Sequence, residues 1–275
     1  MENSRLYFYE WPGGRKSVAG GSRNTIPLDR PWQKEIEINP EICPLCAKPQ
    51  NEVAYTDEGG GWRVIVPTLI LHPFHRLIFP KDCWPAAEIR KLGGLEKIDT
   101  GLRVAKREVD NAPVKKLILL INLGASAGQT VSHLHWHLIQ LMFDDNSRSS
   151  ARSKMTKWAE HNPELVIFED ADFKVVAGGI RVGQCFIIPK PSVVSDKISL
   201  ALGALVSCLI DLFNQKFKSA QGLPPDFNLG FLFYQGRLEY GIYTPILYNF
   251  GGDSPFADFE NCPNILRCPH ELTAR

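Results

Sequence analysis

The stretch His133-Leu134-His135-Trp136-His137-Leu138 decides how this chain is read. Three of its seven histidines alternate strictly with apolar residues. Strand side chains repeat every two residues. A strand here presents His133, His135 and His137 on one face and Leu134, Trp136 and Leu138 on the other. Imidazole titrates near neutral pH and ligates metals. One face is therefore chemically capable, and the reverse face is apolar enough to enter a core.

Outward from this run, the pattern is that of an α+β domain with an antiparallel sheet. The histidine strand is expected over 130–142, after the loop Gly124-Ala-Ser-Ala-Gly128 and the apolar strand 115–123. Upstream, Trp62-Arg-Val-Ile-Val-Pro67 and Arg76-Leu-Ile-Phe79 read as two strands around Pro73. Helical periodicity runs from Pro85 to Val109, interrupted near Gly93-Gly94. Residues 1–40, rich in Gly, Pro and Arg, read as an N-terminal arm. The polar stretch Asp144 to Arg152 divides a first domain, 41–150, from a second, 151–275. The second half repeats the grammar of the first. A short helix is expected at 151–160, strands near 165–177, 183–190, 227–234 and 238–247, and a helix over 197–216. Arg76-Leu-Ile-Phe-Pro-Lys81 and Cys185-Phe-Ile-Ile-Pro-Lys190 are both apolar strands ending in Pro-Lys. The expectation is a tandem duplication whose second copy is degenerate, because it lacks any His-x-His.

Composition narrows the classes of function. The 275 residues are 44% hydrophobic, enough for a sizeable core, and the net charge is +1. Nothing electrostatic favours long nucleic acid or an anionic membrane as a partner. No run approaches the roughly 18 apolar residues of a membrane helix. Met1 to Trp11 has neither a long apolar run nor a small-residue cleavage site, so no secretory leader is expected there. Seven unevenly spaced cysteines favour thiols or a metal site in the cytoplasm over a disulfide framework.

The full run Asn122-x-Gly, Gly128-Gln129-Thr130, His133-x-His135-x-His137 resembles the histidine-triad (HIT) superfamily. Pro73-Phe-His75-Arg-Leu-Ile-Phe-Pro80-Lys81-Asp-Cys83 is similar to that family's strand ending Pro-Lys-x-His, with Cys83 where histidine is usual. Two motifs in the expected order are far more specific than one short string. Cys43-Pro-Leu-Cys46, Gly61-Trp62, the tandem repeat, Gly251-Gly252 and Asn264-Ile-Leu-Arg267 resemble the galactose-1-phosphate uridylyltransferase and nucleotide phosphorylase branch. The resemblance covers about residues 40–270. That branch has glutamine at the third triad position; this chain has His137, the habit of the hydrolase branches.

The resemblance implies chemistry. His135 is the expected nucleophile, attacking an α-phosphorus to form a nucleotidyl-histidine. His137 is expected to bind phosphate or protonate the leaving group. Asn122, Gly128, Gln129 and Thr130 are expected to shape the loop and donate to phosphate oxygens. The expected function is nucleotidyl transfer from a nucleotide sugar or a dinucleoside polyphosphate. The alternatives are a hydrolase releasing nucleoside monophosphate to water and a non-catalytic nucleotide-binding protein. Many relatives are dimers, so a homodimer is compatible, although the tandem repeat can replace it internally.

The resemblance also implies a structural zinc held by Cys43, Cys46, Cys83 and His133, a standard Cys3His set. His72 and His75 are read as lying outside it. The cluster Cys262, Cys268 and His270 fits no common finger, and Cys185 and Cys208 read as core. Glu239 falls where the second repeat would carry its triad and is a candidate substrate contact.

Overall fold

The structure is a computed structural model that describes residues 6–11, 15–20, 43–46, 52–56, 61–67, 73–84, 95–124, 127, 129, 131, 133–140, 151–177, 184–190, 203, 205, 209 and 226–245. Two sheets are present among them. Strands β1 (Leu6–Trp11) and β2 (Arg15–Gly20) form an antiparallel hairpin of their own, inside the segment expected as an extended arm.

The second sheet has ten strands, in the order β3-β4-β5-β7-β6-β11-β12-β10-β9-β8, every described pairing antiparallel. The first half supplies β3 (Glu52–Thr56), β4 (Trp62–Ile65), β5 (His75–Pro80), β6 (Lys116–Leu123) and β7 (Trp136–Gln140). The second half supplies β8 (Val166–Glu169), β9 (Phe173–Ala177), β10 (Cys185–Pro189), β11 (Phe227–Tyr234) and β12 (Arg237–Pro245). Within each half the spatial order is first, second, third, fifth, fourth. The halves join through their fourth strands, β6 and β11, over eight residue pairs from Leu123↔Phe227 to Lys116↔Tyr234. The two strands ending in Pro-Lys, β5 and β10, occupy the same place in the two orders.

The sheet has two covered faces. Helix α1 (Leu95–Asn111) lies between β5 and β6 in the chain, and its Ile98, Leu102, Ala105 and Val109 recur at helical spacing and are buried. They meet Trp62, Val64, Ile78, Trp136, Leu138 and the odd-numbered residues of β6. Leu205 and Leu209, in the segment between β10 and β11, enter the same core. Helix α2 (Ala151–His161) packs the opposite face, through Ala159 and Trp158 against Phe186, Ile188, Tyr240 and Ile242. The expected helix over 197–216 otherwise falls outside the described residues, as do 85–94 and the C-terminal residues 246–275, with Gly251, Gly252, Asn264, Cys262, Cys268 and His270. His72 and Cys208 lie outside as well.

A glycine makes the α1 contact possible. A Cβ on Gly101 would stand 2.6 Å from Trp62 Cη2 and 2.8 Å from Trp136 Cζ2. Both indoles are fully buried and meet edge-to-face, 6.2 Å between centroids. The helix therefore docks at backbone distance, on the reverse side of the histidine strand. Overpacking such a contact costs roughly 1–3 kcal/mol. Gly101→Val is expected to lower the denaturant midpoint by that much at unchanged m; an unchanged midpoint would show that the helix can shift outward at no cost.

Candidate functional site

The histidine segment is not a strand throughout. Regular pairing begins at Trp136; His133 makes only an isolated bridge, and Leu134 and His135 are outside any ladder. The expected strand over 130–142 is thus shorter at its start, and the reason is a carbonyl. The oxygen of His133 accepts from His135 Nδ1 at 2.8 Å and from Gln129 Nε2 at 3.3 Å. Side chains occupy the place a ladder hydrogen bond would take. The apolar alternation still holds: Leu134, Trp136 and Leu138 are buried in the core beneath α1.

The three histidines meet three different environments. His133 is fully buried, and its Nε2–H donates to the carbonyl of Pro80 at 2.9 Å. That bond fixes the tautomer, so Nδ1 carries the lone pair. Nδ1 lies 3.5 Å from Cys43 Sγ and 3.4 Å from Cys46 Sγ. The donor atoms of Cys43, Cys46, Cys83 and His133 all lie within 4.8 Å of one another. A tetrahedral site with ordinary Zn–S and Zn–N bonds has N···S edges of about 3.6 Å. The four expected ligands are therefore brought together, close enough to bind a metal ion. Burial, then the neighbouring thiols, pushes the Cys83 thiol well up, and burial also raises Cys46. Burial pulls the His133 imidazole down to about 4. Neutral imidazole and crowded thiols are the protonation pattern that a cation would convert to ligands. The backbone clamps the cluster: Cys46 N donates to Cys43 O, Lys81 N to Gly61 O, and Leu134 N to Trp84 O.

His135 is buried, with its Nδ1–H given to the His133 carbonyl. Its lone pair is therefore on Nε2. Burial lowers its pKa below the ordinary 6.5, so the ring is neutral and nucleophilic at neutral pH. His137 lies edge-on to it, 5.1 Å between centroids. Burial, then the adjacent His135 and His75, holds His137 well below 6.5. His75 completes the row: its Nε2 is 3.1 Å from His137 Nδ1, the rings stacked at 5.4 Å. His75 opens β5, which pairs with β7; the sequence reading sets it outside the metal ligands and gives it no other role. The signal for it was parity, since residues 75, 77 and 79 share the face of His137 through the pair Leu77↔His137.

The loop before the triad is closed by Gln129. Its Oε1 accepts from Gly124 N at 2.8 Å, while its own N–H and that of Ala127 donate to Gly124 O. Its side-chain amide thus ties the start of the loop to the His133 carbonyl that aims His135. Asn122 is buried in β6. Gly128 and Thr130 lie outside the described residues. Glu239 is buried in β12, far along the sheet order from β7. Cys185 is a buried core thiol that burial pushes up to about 12.

A family model described as HIT domain matches residues 72–143, which hold both motifs and both histidine strands. This segment matches the HIT domain. Solved structures share the fold over a much longer span than the HIT domain. An ADP-glucose phosphorylase from Arabidopsis thaliana is 16% identical at a TM-score of 0.54, over 90% of this chain and 92% of its own. Yeast Ap4A phosphorylase in complex with Ap4A is 12% identical at 0.54, over 97% and 90%. A galt-like protein from Arabidopsis thaliana is 18% identical at 0.50, over 70% and 75%. Comparison with curated protein sequences finds no match. Over nine-tenths of the chain the fold is therefore shared with the first two of these proteins. No helix among the described residues is long and apolar enough to cross a membrane.

The neutral state of His135 has a measurable sign. Its unfolded-state imidazole binds a proton near 6.5, while the folded one resists. The unfolded state thus binds more protons as pH falls below 6.5, and stability declines in that direction. The acid limb of any reaction using His135 is expected below pH 6.5. A limb at or above 6.5 in a kcat/KM profile would mean that the ring is not shielded as described.

Proposed function

We propose that this chain is an enzyme that transfers a nucleoside monophosphate through a covalent intermediate on His135. The observation that carries the proposal is the His135 geometry: Nδ1–H bound to the His133 carbonyl at 2.8 Å, a buried neutral ring, and Nε2 left as the lone-pair nitrogen. In the first step Nε2 attacks the α-phosphorus, the N–P bond forms and the bond to the leaving oxygen breaks. In the second, an acceptor oxygen attacks phosphorus and releases the imidazole. His137, hydrogen-bonded to His75, moves the leaving group's proton. Asn122, the loop closed by Gln129 with Gly128 in it, and Thr130 after it serve the non-bridging oxygens.

The donor is a nucleotide sugar or a dinucleoside polyphosphate, and the acceptor is phosphate or a sugar 1-phosphate. Two neighbours with the fold over nine-tenths of the chain are, by their names, phosphorylases of ADP-glucose and of Ap4A. The matching strand orders of the two halves support a tandem duplication, with domains at 41–150 and 151–275, after the arm 1–40. Zinc is the metal that best suits the Cys3His cluster, in a structural role. Free thiols suit a cytoplasmic setting.

The test is product analysis by mass spectrometry on UDP-glucose, ADP-glucose and dinucleoside polyphosphates, with and without phosphate and sugar 1-phosphate. Products that appear only with acceptor support the transfer reading. Nucleoside monophosphate released without acceptor would make the chain a hydrolase, the reading that His137 at the third position favours. Tight nucleotide binding with no turnover of any donor would leave only a binding protein.

A further inference from the structure

The seam between the two halves is polar at one end. The register sets Asn228 of β11 directly across from Asn122 of β6, and Thr244 of β12 directly across from Asn228. Directly paired residues of antiparallel strands share a face. That face is the one carrying His137, because Leu120, two residues before Asn122, pairs with His137. Ile121 pairs with Trp136, so Asn122 is the β6 residue next along toward His135. Asn122, Asn228 and Thr244 therefore form a line running from the histidines into the second half. All three are buried, at 6%, 2% and 3% exposure. Thr244 Oγ1 accepts from Gln184 Nε2 at 2.8 Å. Asn122 Oδ1 and both side-chain polar atoms of Asn228 have no hydrogen-bond partner among the described residues. Buried amides in that state mark positions that a ligand or water completes.

A carboxylate lies just before the same strand. Asp226 lies two residues before Asn228, half-buried, against the loop glycine Gly124. A Cβ on Gly124 would stand 2.0 Å from Asp226 Cγ, and its φ of +97° independently favours glycine. The second half thus reaches onto the loop that leads into the triad.

The chemistry of these groups selects an occupant. The two amide oxygens and the carboxylate all accept; Asn228 Nδ2 donates. An ionised phosphate brings only acceptors and is repelled by Asp226. An apolar group leaves the amides unmet. Neighbouring hydroxyls donate to the oxygens and accept from Nδ2 at once. We propose that Asp226 and Asn228 are specificity-determining residues that grip the vicinal hydroxyls of a sugar in the substrate, beside His135. This rests on the nucleotidyl-transfer reading above. The sugar is the ribose of the nucleotide or the hexose of a sugar 1-phosphate.

The test is calorimetric titration of the full chain and of Asp226→Ala and Asn228→Leu. One arm compares AMP and UMP with their 2′,3′-dideoxy analogues; the other compares glucose 1-phosphate with 2-deoxyglucose 1-phosphate. The wild type is expected to prefer the hydroxylated ligand about tenfold or more in one arm, which names the sugar. Each variant is expected to bring that ratio toward one while leaving the deoxy ligand's affinity unchanged. Ratios unaltered in both arms overturn the proposal. If Asn228→Leu does not fold, the half-exposed Asp226→Ala decides by itself. Mass spectrometry of the His135 adduct separates the two readings. An adduct with unaltered ratios overturns this inference alone; no adduct and no nucleotide binding in the wild type overturns both.

Discussion

His135→Ala is expected to reduce turnover by a factor of about a thousand or more, the scale of losing a covalent nucleophile. The same variant is expected to lose a protein-bound nucleoside monophosphate, read as the mass added to the intact chain after brief exposure to donor. Both effects follow from one nitrogen. His135 Nδ1 is held by the His133 carbonyl, so Nε2 is the nitrogen that can attack. The other rings of the row are engaged differently. His133 faces the thiols through Nδ1 and Pro80 through Nε2, and His137 Nδ1 is bound to His75. His75→Ala is expected to act differently, slowing turnover while preserving the adduct, because its hydrogen bond and ring contact are to His137. A wild-type level of adduct in His135→Ala would move the nucleophile elsewhere and refute the mechanism. Thermal denaturation in parallel separates chemistry from folding.

Metal removal is expected to have the next largest effect. Cys43 and Cys46 come from a segment preceding the sheet, Cys83 follows β5, and His133 precedes β7. A metal at their centre ties three separated stretches together next to His135, whose anchor is the His133 carbonyl. Binding energies of structural zinc in small peptides reach about 10–16 kcal/mol; a fraction of that is enough to decide local folding. Elemental analysis is expected to find one zinc per chain. Cys83→Ser is expected to lose the metal and lower the melting temperature by about 10 °C or more, whereas Cys83→His is expected to retain it as a Cys2His2 set. Wild-type protein that melts at the same temperature with and without its metal would refute the site.

The alternation of the triad, its order after the Pro-Lys strand, and the Cys-x-x-Cys pair were legible because each is a local pattern. Period-two spacing put Trp136 and Leu138 in the core, and the family resemblance grouped four candidate ligands from three stretches before any distance was known. Most strands of the ten-stranded sheet were also legible, since apolar runs between turns announce themselves; the polar-edged β3 was not among them. The start of the histidine strand was not. Whether His133 O joins a ladder or receives two side chains depends on where Gln129 and His135 fold back.

The sequence by itself determined the chemistry available: three imidazoles at strand spacing, a glycine-rich loop before them, and a thiol-rich ligand set. Only the tertiary structure decided how that chemistry is divided. It turned His133 toward the thiols, freed Nε2 of His135, and set His75 against His137, a partnership that exists only because β5 and β7 pair. It also joined β6 to β11, which brings Asn228 and Asp226 from about a hundred residues away to Asn122 and Gly124. The physical reason is that side-chain periodicity is encoded within one strand, whereas strand partners and register come from burying many faces at once. No single segment carries that information.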